Sequence, residues 1–301
     1  MKLMEKYGEG IPDQKACGLR NSIGQFIYKH RAALLLYRSL ALPFKELLYW
    51  KWVIHGFTCR RVSLHMRRKA TVIIQPYHAK RLRNIAPLVR SALKCDFVEK
   101  VIINNNNPQV RIEDWVKVSC DRVALMNQEV NRGAGYSYIL AGREDAEFFI
   151  LIDDDLLIYP GQLALLFQRL VERPEVPHGL VGCDHQGRYV KRQEAEVAGL
   201  YNIYAITMEH IQAYLRSVEK IVTQENALRK AIDIWGCDLI LSRSGARNPM
   251  IHDAGYITQC RTWNAPGVAN YLSRDFKQKR IEVGIALERI KEDLSKPPAQ
   301  V

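Results

Sequence analysis

From Ala70 onward, short apolar runs alternate with segments of helical periodicity. "ATVIIQPY" (70–77) is a β-branched run that predicts a strand. In "AKRLRNIAPLVRSAL" (79–93), Ile85, Leu88, Val89, Ala92 and Leu93 recur at helical spacing. "VEKVIINNNNP" predicts a second strand ending in a turn-forming asparagine cluster, and "DRVALMNQ" a third strand. "NRGAGYSYILAGRE" reads as a loop entering a helix, followed by the strand "AEFFILIDDD". "PGQLALLFQRLVERP" then predicts a helix with Leu163, Leu166, Phe167 and Leu170 on one face and Pro160 in its first turn.

After Pro177 the pattern loosens. "HGLVGCDHQGRYV" suggests a strand and turn, "GLYNIYAIT" another strand, and "MEHIQAYLRSVEKIV" a helix burying Ile211, Tyr214, Leu215 and Val218. "DIWGCDLILSRSGARNP" runs from a polar turn into a helix, and "RDFKQKRIEVGIALERIKEDLSKPP" is a charged helix with a frayed tail. Strands alternating with helices predict an α/β fold with a mostly parallel sheet flanked by helices. The expected organisation is a basic helical N-terminal segment (1–69), an α/β domain (70–275), and a C-terminal helix and tail (276–301).

The N-terminal segment has a different character. "YKHRAALLLYRSLALPFKELLYWKWVIHGFTCRRVSLHMRRK" mixes Leu, Tyr and Trp with many basic residues and almost no acids. Arg38, Lys45, Glu46 and Lys51 interrupt its apolar run, which argues against a membrane span. It reads either as an amphipathic helix lying on an anionic membrane surface or as an appendage packed on the main domain. Pro43 and uneven spacing weaken any single apolar stripe.

Composition narrows the classes further. The 301 residues carry 44 Lys+Arg against 32 Asp+Glu, a net charge of +12 that favours anionic partners. The seven scattered cysteines form no Cys-x-x-Cys pair, which argues against a disulfide framework or zinc ribbon and suits a reducing, cytosolic setting. The start of the chain lacks a signal peptide's apolar core. A basic nucleic-acid-binding protein is the non-enzyme alternative. The basic residues, however, cluster in the N-terminal segment, and no helix-turn-helix, zinc-finger or RNP-like motif is present.

In a parallel sheet, ligands bind beyond the carboxyl ends of the strands. Those ends here are Gln75–His78, the asparagines 104–107, Asn131–Gly133 and Asp153–Asp155, so four polar groups gather on one rim. Adjacent carboxylates suit a hard cation such as Mn2+ or Mg2+, with substrate phosphates completing its shell. The plainer alternative is a solvated helix cap ahead of Pro160. Arg132 suits diphosphate or is an ordinary turn arginine, and the asparagines bind a base or simply make a turn. His252 and His185 read from the residues alone as structural or surface histidines. The stretch 260–267, with Trp263, reads as a lid or as buried structure.

"QPYH", "NNNNP", "NRGAG" and "FFILIDDDLLIYPGQL", in that order, resemble nucleotide-sugar glycosyltransferases of the GT-A fold. Within them, the order is most similar to the exostosin-like group and to bacterial members in which a proline opens the next helix. The resemblance covers roughly residues 70–255 and implies a GT-A-like fold. It implies a metal-dependent transfer of a hexosyl or N-acetylhexosaminyl group from a nucleotide diphosphate sugar, UDP foremost, to a saccharide or lipid-linked acceptor hydroxyl. By the same resemblance, Asp155 is the principal metal ligand, assisted by Asp153 and His252. Gln75, Tyr77, Asn105, Arg132, Asp153 and Asp154 hold the nucleotide sugar, and Asp238 sits beside the reacting carbon. Aligned at Asp238, Cys237 stands where the group has a first acid, which makes Asp233 a rival catalytic residue.

Two other enzyme classes share this metal chemistry. A haloacid-dehalogenase-like phosphohydrolase places its Asp-x-Asp loop on an early strand and needs a Thr or Val soon after. Here Leu156 and Leu157 follow, and three βα elements come before. A nucleotidyltransferase differs in releasing pyrophosphate rather than a nucleoside diphosphate.

Overall fold

The computed structural model describes residues 31–295 other than 119, 246, 261 and 263–274. An eight-stranded sheet forms its centre. The strands in chain order are β1 (Ala70–Gln75), β2 (Val98–Asn105), β3 (Val123–Asn127), β4 (Phe148–Asp153), β5 (Leu156–Leu157), β6 (His178–Gly179) and β7 (Val181–Cys183). They continue as β8 (Tyr189–Lys191), β9 (Ala195–Glu196), β10 (Gly199–Leu200), β11 (Ile203–Thr207), β12 (Met250–Ile251) and β13 (Thr258–Gln259). The central order is β3-β2-β1-β4-β11-β6-β12-β9, with β7, β8 and β10 in a small second sheet and β5 paired to β13.

Strands β3, β2, β1 and β4 run parallel, as their alternation with helices predicts. β11 is antiparallel to β4 and to β6, so the sheet is mixed beyond β4. The register levels Gln75 with Asp153 and Asn105 with Asn127, which brings the polar strand ends to one edge.

Side-chain alternation divides the core into two layers. Val72 and Ile74, Val101 and Ile103, and Phe148, Ile150 and Ile152 point to one face. There they meet helix α1 (Arg31–Thr58), helix α2 (Ile85–Leu93) and the Pro160–Glu172 helix. Ile73, Ile102, Phe149, Leu151, Tyr204 and Ile206 point to the other face. That face is covered by helix α3 (Tyr136–Ala141), with the Met208–Gln224 and Phe276–Ser295 helices outside it. A helix matching "PGQLALLFQRLVE" begins at Pro160, and all four of its predicted apolar residues are buried. In the Met208–Gln224 helix, Ile211, Tyr214 and Val218 are buried as expected, while Leu215 is only half-buried.

Two local details differ from the sequence pattern. "DIWG" is not a polar turn: Ile232–Gly236 is a π-helical turn leading into the Cys237–Ser244 helix. Helix α1 continues through Pro43, losing one backbone donor there without breaking. Its inner face packs Tyr49, Trp52 and Val53 into the core. The Trp52 indole donates to the Ile158 carbonyl at 2.9 Å, and the Tyr49 hydroxyl to the Arg83 carbonyl at 2.9 Å.

Candidate functional site

The acidic turn follows β4 directly, where the chain leaves the core and no longer needs apolar side chains. Its three carboxylates have three different fates. Asp153 keeps an exposed side chain, whereas Asp154 and Asp155 are buried. Asp154 points inward: it accepts from the Arg81 guanidinium at 2.9 Å and from the Tyr77 backbone N–H at 3.2 Å. Its carbonyl takes the Asn84 amide at 2.7 Å. Asp154 thus braces the rim from beneath. Both of its oxygens already accept from protein donors, so the nucleotide-sugar contact expected of this side chain would have to displace Arg81 or the Tyr77 N–H.

Asp153 and Asp155 share a partner that the sequence did not single out. The Asn202 amide donates to Asp153 Oδ2 and to Asp155 Oδ1, both at 3.2 Å. One nitrogen bonded to both oxygens means that the two carboxylates face a common point. Asn202 holds φ +64°, a left-handed conformation that asparagine tolerates better than most residues. It sits just before β11, and its carbonyl accepts from the Asp153 N–H at 2.8 Å. Arg81 lies 3.3 Å from the second oxygen of Asp155.

Crowding sets the electrostatics. Burial pushes the Asp155 carboxyl up to about 7, with Arg81 opposing the rise and Asp154 adding to it. Desolvation, then the charges of Asp155 and Asp154, raises the Asp153 carboxyl, although water at its exposed side chain offsets the first of these. Two carboxyls that resist ionisation side by side are what an added cation would relieve. Among the described residues no group of three or more His, Cys, Asp and Glu is placed to hold a metal. The residues that fit are the pair Asp153 and Asp155. Their carboxylate oxygens are donors of the type that hard cations prefer.

The remaining rim residues divide into framework and exposed surface. Gln75 donates to the Gly133 and Ala134 carbonyls at 2.9 and 3.1 Å and accepts from Asn104 at 3.0 Å. Asn106 donates to Asn131 and to the Gly133 carbonyl and accepts from the Arg132 N–H. These side chains hold the loop after β3. Asn105 is fully buried, with its amide spent on the Asn107 and Val110 carbonyls and on Asn127. The nucleotide contact expected of its side chain is therefore corrected to a turn-building role. Tyr77 is 46% exposed, and Arg132 is exposed, its guanidinium 5.2 Å from the Tyr136 ring centroid. With Asn131 and Asp153, which are also exposed, they are rim groups open to a ligand.

Gly133 explains why the loop sits where it does. It has φ +81°, and a Cβ there would lie 2.5 Å from the Asp233 carbonyl oxygen. Close approach continues at Gly135, whose N–H donates to that same carbonyl at 3.0 Å. The Asp233 carboxylate turns instead to Arg229 at 3.4 Å. So Asp233 positions the loop through its backbone.

Asp238 pairs with Arg280 of the Phe276–Ser295 helix, which also donates to the Trp235 carbonyl at 2.7 Å. Burial is the largest single influence and opposes the Arg280 charge, but Asp238, Tyr201 and Cys183 together outweigh it and strengthen the guanidinium's hold on its proton. Asp238 is near enough to Asp153 to contribute to the rise of that carboxyl. The two therefore belong to one electrostatic neighbourhood. Neighbouring Cys237 is buried, and burial raises its thiol well above the usual range.

The structure does not bring His252 to Asp155. Its Nε2 meets His178 Nδ1 at 2.8 Å and its Nδ1 meets Glu194 at 2.6 Å, so both ring nitrogens are engaged. His178 in turn contacts the carbonyl of Arg173, just past the C-terminus of the Pro160–Glu172 helix, whereas the acids precede its N-terminus. Thirteen residues of helix span roughly 20 Å. His185 lies on the exposed turn after β7. Of the predicted lid, Cys260 and Thr262 are described: Cys260 donates its N–H to the Asp155 carbonyl at 2.7 Å, and Arg81 reaches the Thr262 carbonyl at 3.4 Å. Trp263 and the rest of 260–267 lie outside the described residues, as do segments 1–30 and 296–301.

No family profile and no curated protein sequence matches the chain. Among solved structures it is similar to GalNAc-T7 with UDP, GalNAc and Mn2+, at 11% identity and a TM-score of 0.49 over 71% of this chain. The chain spans about half of that protein's length, 48%. It is also similar to CMP:2-keto-3-deoxy-manno-octonic acid synthetase complexed with CTP, at 15% identity and a TM-score of 0.35. That match covers 54% of this chain and 84% of the synthetase. Similarity at this level decides neither substrate nor reaction.

Proposed function

We propose that this chain is a GT-A-like, metal-dependent glycosyltransferase that moves a sugar from a nucleotide diphosphate donor to an acceptor hydroxyl. One observation carries the reading: Asp153 and Asp155 face a common point at the end of β4, bridged by Asn202 and backed by Arg81. A carboxylate pair converging at a strand end, with both carboxyls raised, suits a cation shared with a diphosphate.

Mn2+ or Mg2+ held by Asp153 and Asp155 would anchor the diphosphate and neutralise its charge as it departs. Asn202 keeps the two carboxylates turned toward one another, and Arg81 limits the negative charge beneath them. Arg132 offers a guanidinium to phosphate, and Tyr77 an exposed ring to the base or ribose. In the transfer, the acceptor oxygen bonds the anomeric carbon as the carbon–oxygen bond to the diphosphate breaks. Asp238, one oxygen held by Arg280, takes up the proton that the acceptor hydroxyl loses as it attacks, or orients that hydroxyl while a leaving-group oxygen takes the proton. The acceptor class is a saccharide or lipid-linked hydroxyl, as in surface-polysaccharide assembly.

Product analysis tests the reaction class. Incubation with Mn2+ and a panel of nucleotide sugars should release a nucleoside diphosphate. Release of pyrophosphate from a nucleoside triphosphate would assign a nucleotidyltransferase instead, and inorganic phosphate from a phosphomonoester would assign a phosphohydrolase.

A further inference from the structure

Between Pro43 and Thr58 helix α1 has two apolar faces, and among the described residues one of them packs on the domain. Tyr49, Trp52, Val53 and Gly56 are buried against the domain. On the opposite side Phe44, Leu47, Trp50, Ile54 and Phe57 are 58, 65, 54, 57 and 61% exposed. At 100° per residue these five fall on one side of the cylinder, spaced three or four apart. Five large apolar side chains exposed in one row exceed the scattered exposure ordinary at a protein surface.

The charges around the stripe identify what would cover it. Lys51 lies within the exposed face, and the chain leaving the helix adds exposed Arg60 and Arg61. The guanidinium of Arg90 sits 4.4 Å from the Phe57 ring centroid at the edge of the stripe. From residue 31 to 69 Glu46 is the one carboxylate, and it is paired with Arg83 at 2.6 Å. A symmetric second copy would bring the same cationic belt against itself. A surface that is apolar below and anionic at its boundary matches both features. Among the described residues no helix is long and apolar enough to cross a membrane.

We infer that the outer face of helix α1 docks the protein on an anionic lipid bilayer. Phe44, Leu47, Trp50, Ile54 and Phe57 enter the headgroup boundary, and the basic belt meets anionic headgroups. The helix lies in the plane of the interface. It also touches the site's scaffold: Trp52 holds the Ile158 carbonyl, three residues beyond Asp155, and Tyr49 holds the Arg83 carbonyl, two beyond Arg81. Docking would thus bring the acidic turn near the lipid surface, where a lipid-linked acceptor presents its hydroxyl. The docking itself rests on the helix alone and stands independently of the proposed reaction.

Flotation of the full chain with vesicles of phosphatidylcholine, with and without 30% phosphatidylglycerol, tests this. Binding is expected on the anionic vesicles, with a drop of at least tenfold on pure phosphatidylcholine or at high salt. In the double variant Leu47→Asp/Trp50→Asp, binding should be lost while circular dichroism is unchanged, since both side chains are already in water. Arg60→Glu/Arg61→Glu should weaken binding without abolishing the response to composition. Absence of binding to anionic vesicles, or binding that survives Leu47→Asp/Trp50→Asp, would overturn the inference. So would a stable dimer that this variant dissolves while vesicle binding is absent.

Discussion

The Arg81 guanidinium lies 2.9 Å from Asp154 and both side chains are buried, so a charge pair sits under the acidic turn rather than on it. Removing one member of such a pair strands the other charge in the interior. Arg81→Ala should therefore cost roughly 3–5 kcal/mol of stability. Urea denaturation reads this as a lower midpoint, and an unchanged midpoint would show that the pair does not brace the turn.

Asn202 is separable from its backbone. Asn202→Gly tolerates φ +64° and removes the amide from Asp153 and Asp155. The fold should persist, and Mn2+-dependent nucleotide affinity should fall on the order of tenfold or more, as when a partner that orients metal ligands is lost. Titration calorimetry beside a thermal melt distinguishes this from unfolding. A loss of melting temperature with affinity retained would contradict the assignment.

Gly133→Ala tests the contact between the two loops. A Cβ would meet the Asp233 carbonyl at 2.5 Å in a backbone conformation unfavourable to L residues. A cost of about 1–3 kcal/mol is expected, with weaker nucleotide binding because Arg132 is displaced. A variant that melts and binds like the wild type would contradict the expectation.

Burial pushes the His178 imidazole down to about 4, with His252, Arg173 and His210 adding to the depression and the Arg173 carbonyl opposing it. The sign follows directly. The unfolded chain takes a proton near pH 6.5 and the folded one does not until about 4, so His178's contribution is intact above 6.5 and lost as pH falls through that window. Its share of the loss between pH 7.5 and 5 is about 2 kcal/mol. The raised carboxyl of Asp155 acts in the opposite direction, so the total slope is ambiguous and the imidazole must be read individually. NMR titration should show the His178 ring resonances unmoved above pH 5. A midpoint near 6.5 would contradict this.

Much of the framework was legible because its signals are local. The β-branched runs at 70–75 and 98–103 and the "FFILI" run before the acids each lie within one strand, and Pro160 marks its helix start within a residue. The convergence of polar strand ends follows from parallel pairing, which places Gln75 level with Asp153. The rest depends on contacts between distant residues. Asn202 and Arg280 carry no motif, and their partners lie 47–49 and 42 positions away. Asp154 and Asn105 looked equivalent to their neighbours, since a run of identical residues hides which member faces inward. The outer stripe of helix α1 was obscured by Pro43, which the helix tolerates because its inner face is anchored by Tyr49 and Trp52.

The central claim is that Asp153 and Asp155 hold a cation together with a nucleotide diphosphate. Calorimetric titration of UDP in Mn2+ and in EDTA, repeated with Asp155→Ala, tests it most directly. Binding in Mn2+ that disappears in EDTA and in the variant is the predicted result, and GDP, CDP or dTDP would replace UDP if the base differs. Absence of metal-dependent binding for all four nucleotides, or binding indifferent to Asp155→Ala, would contradict the account.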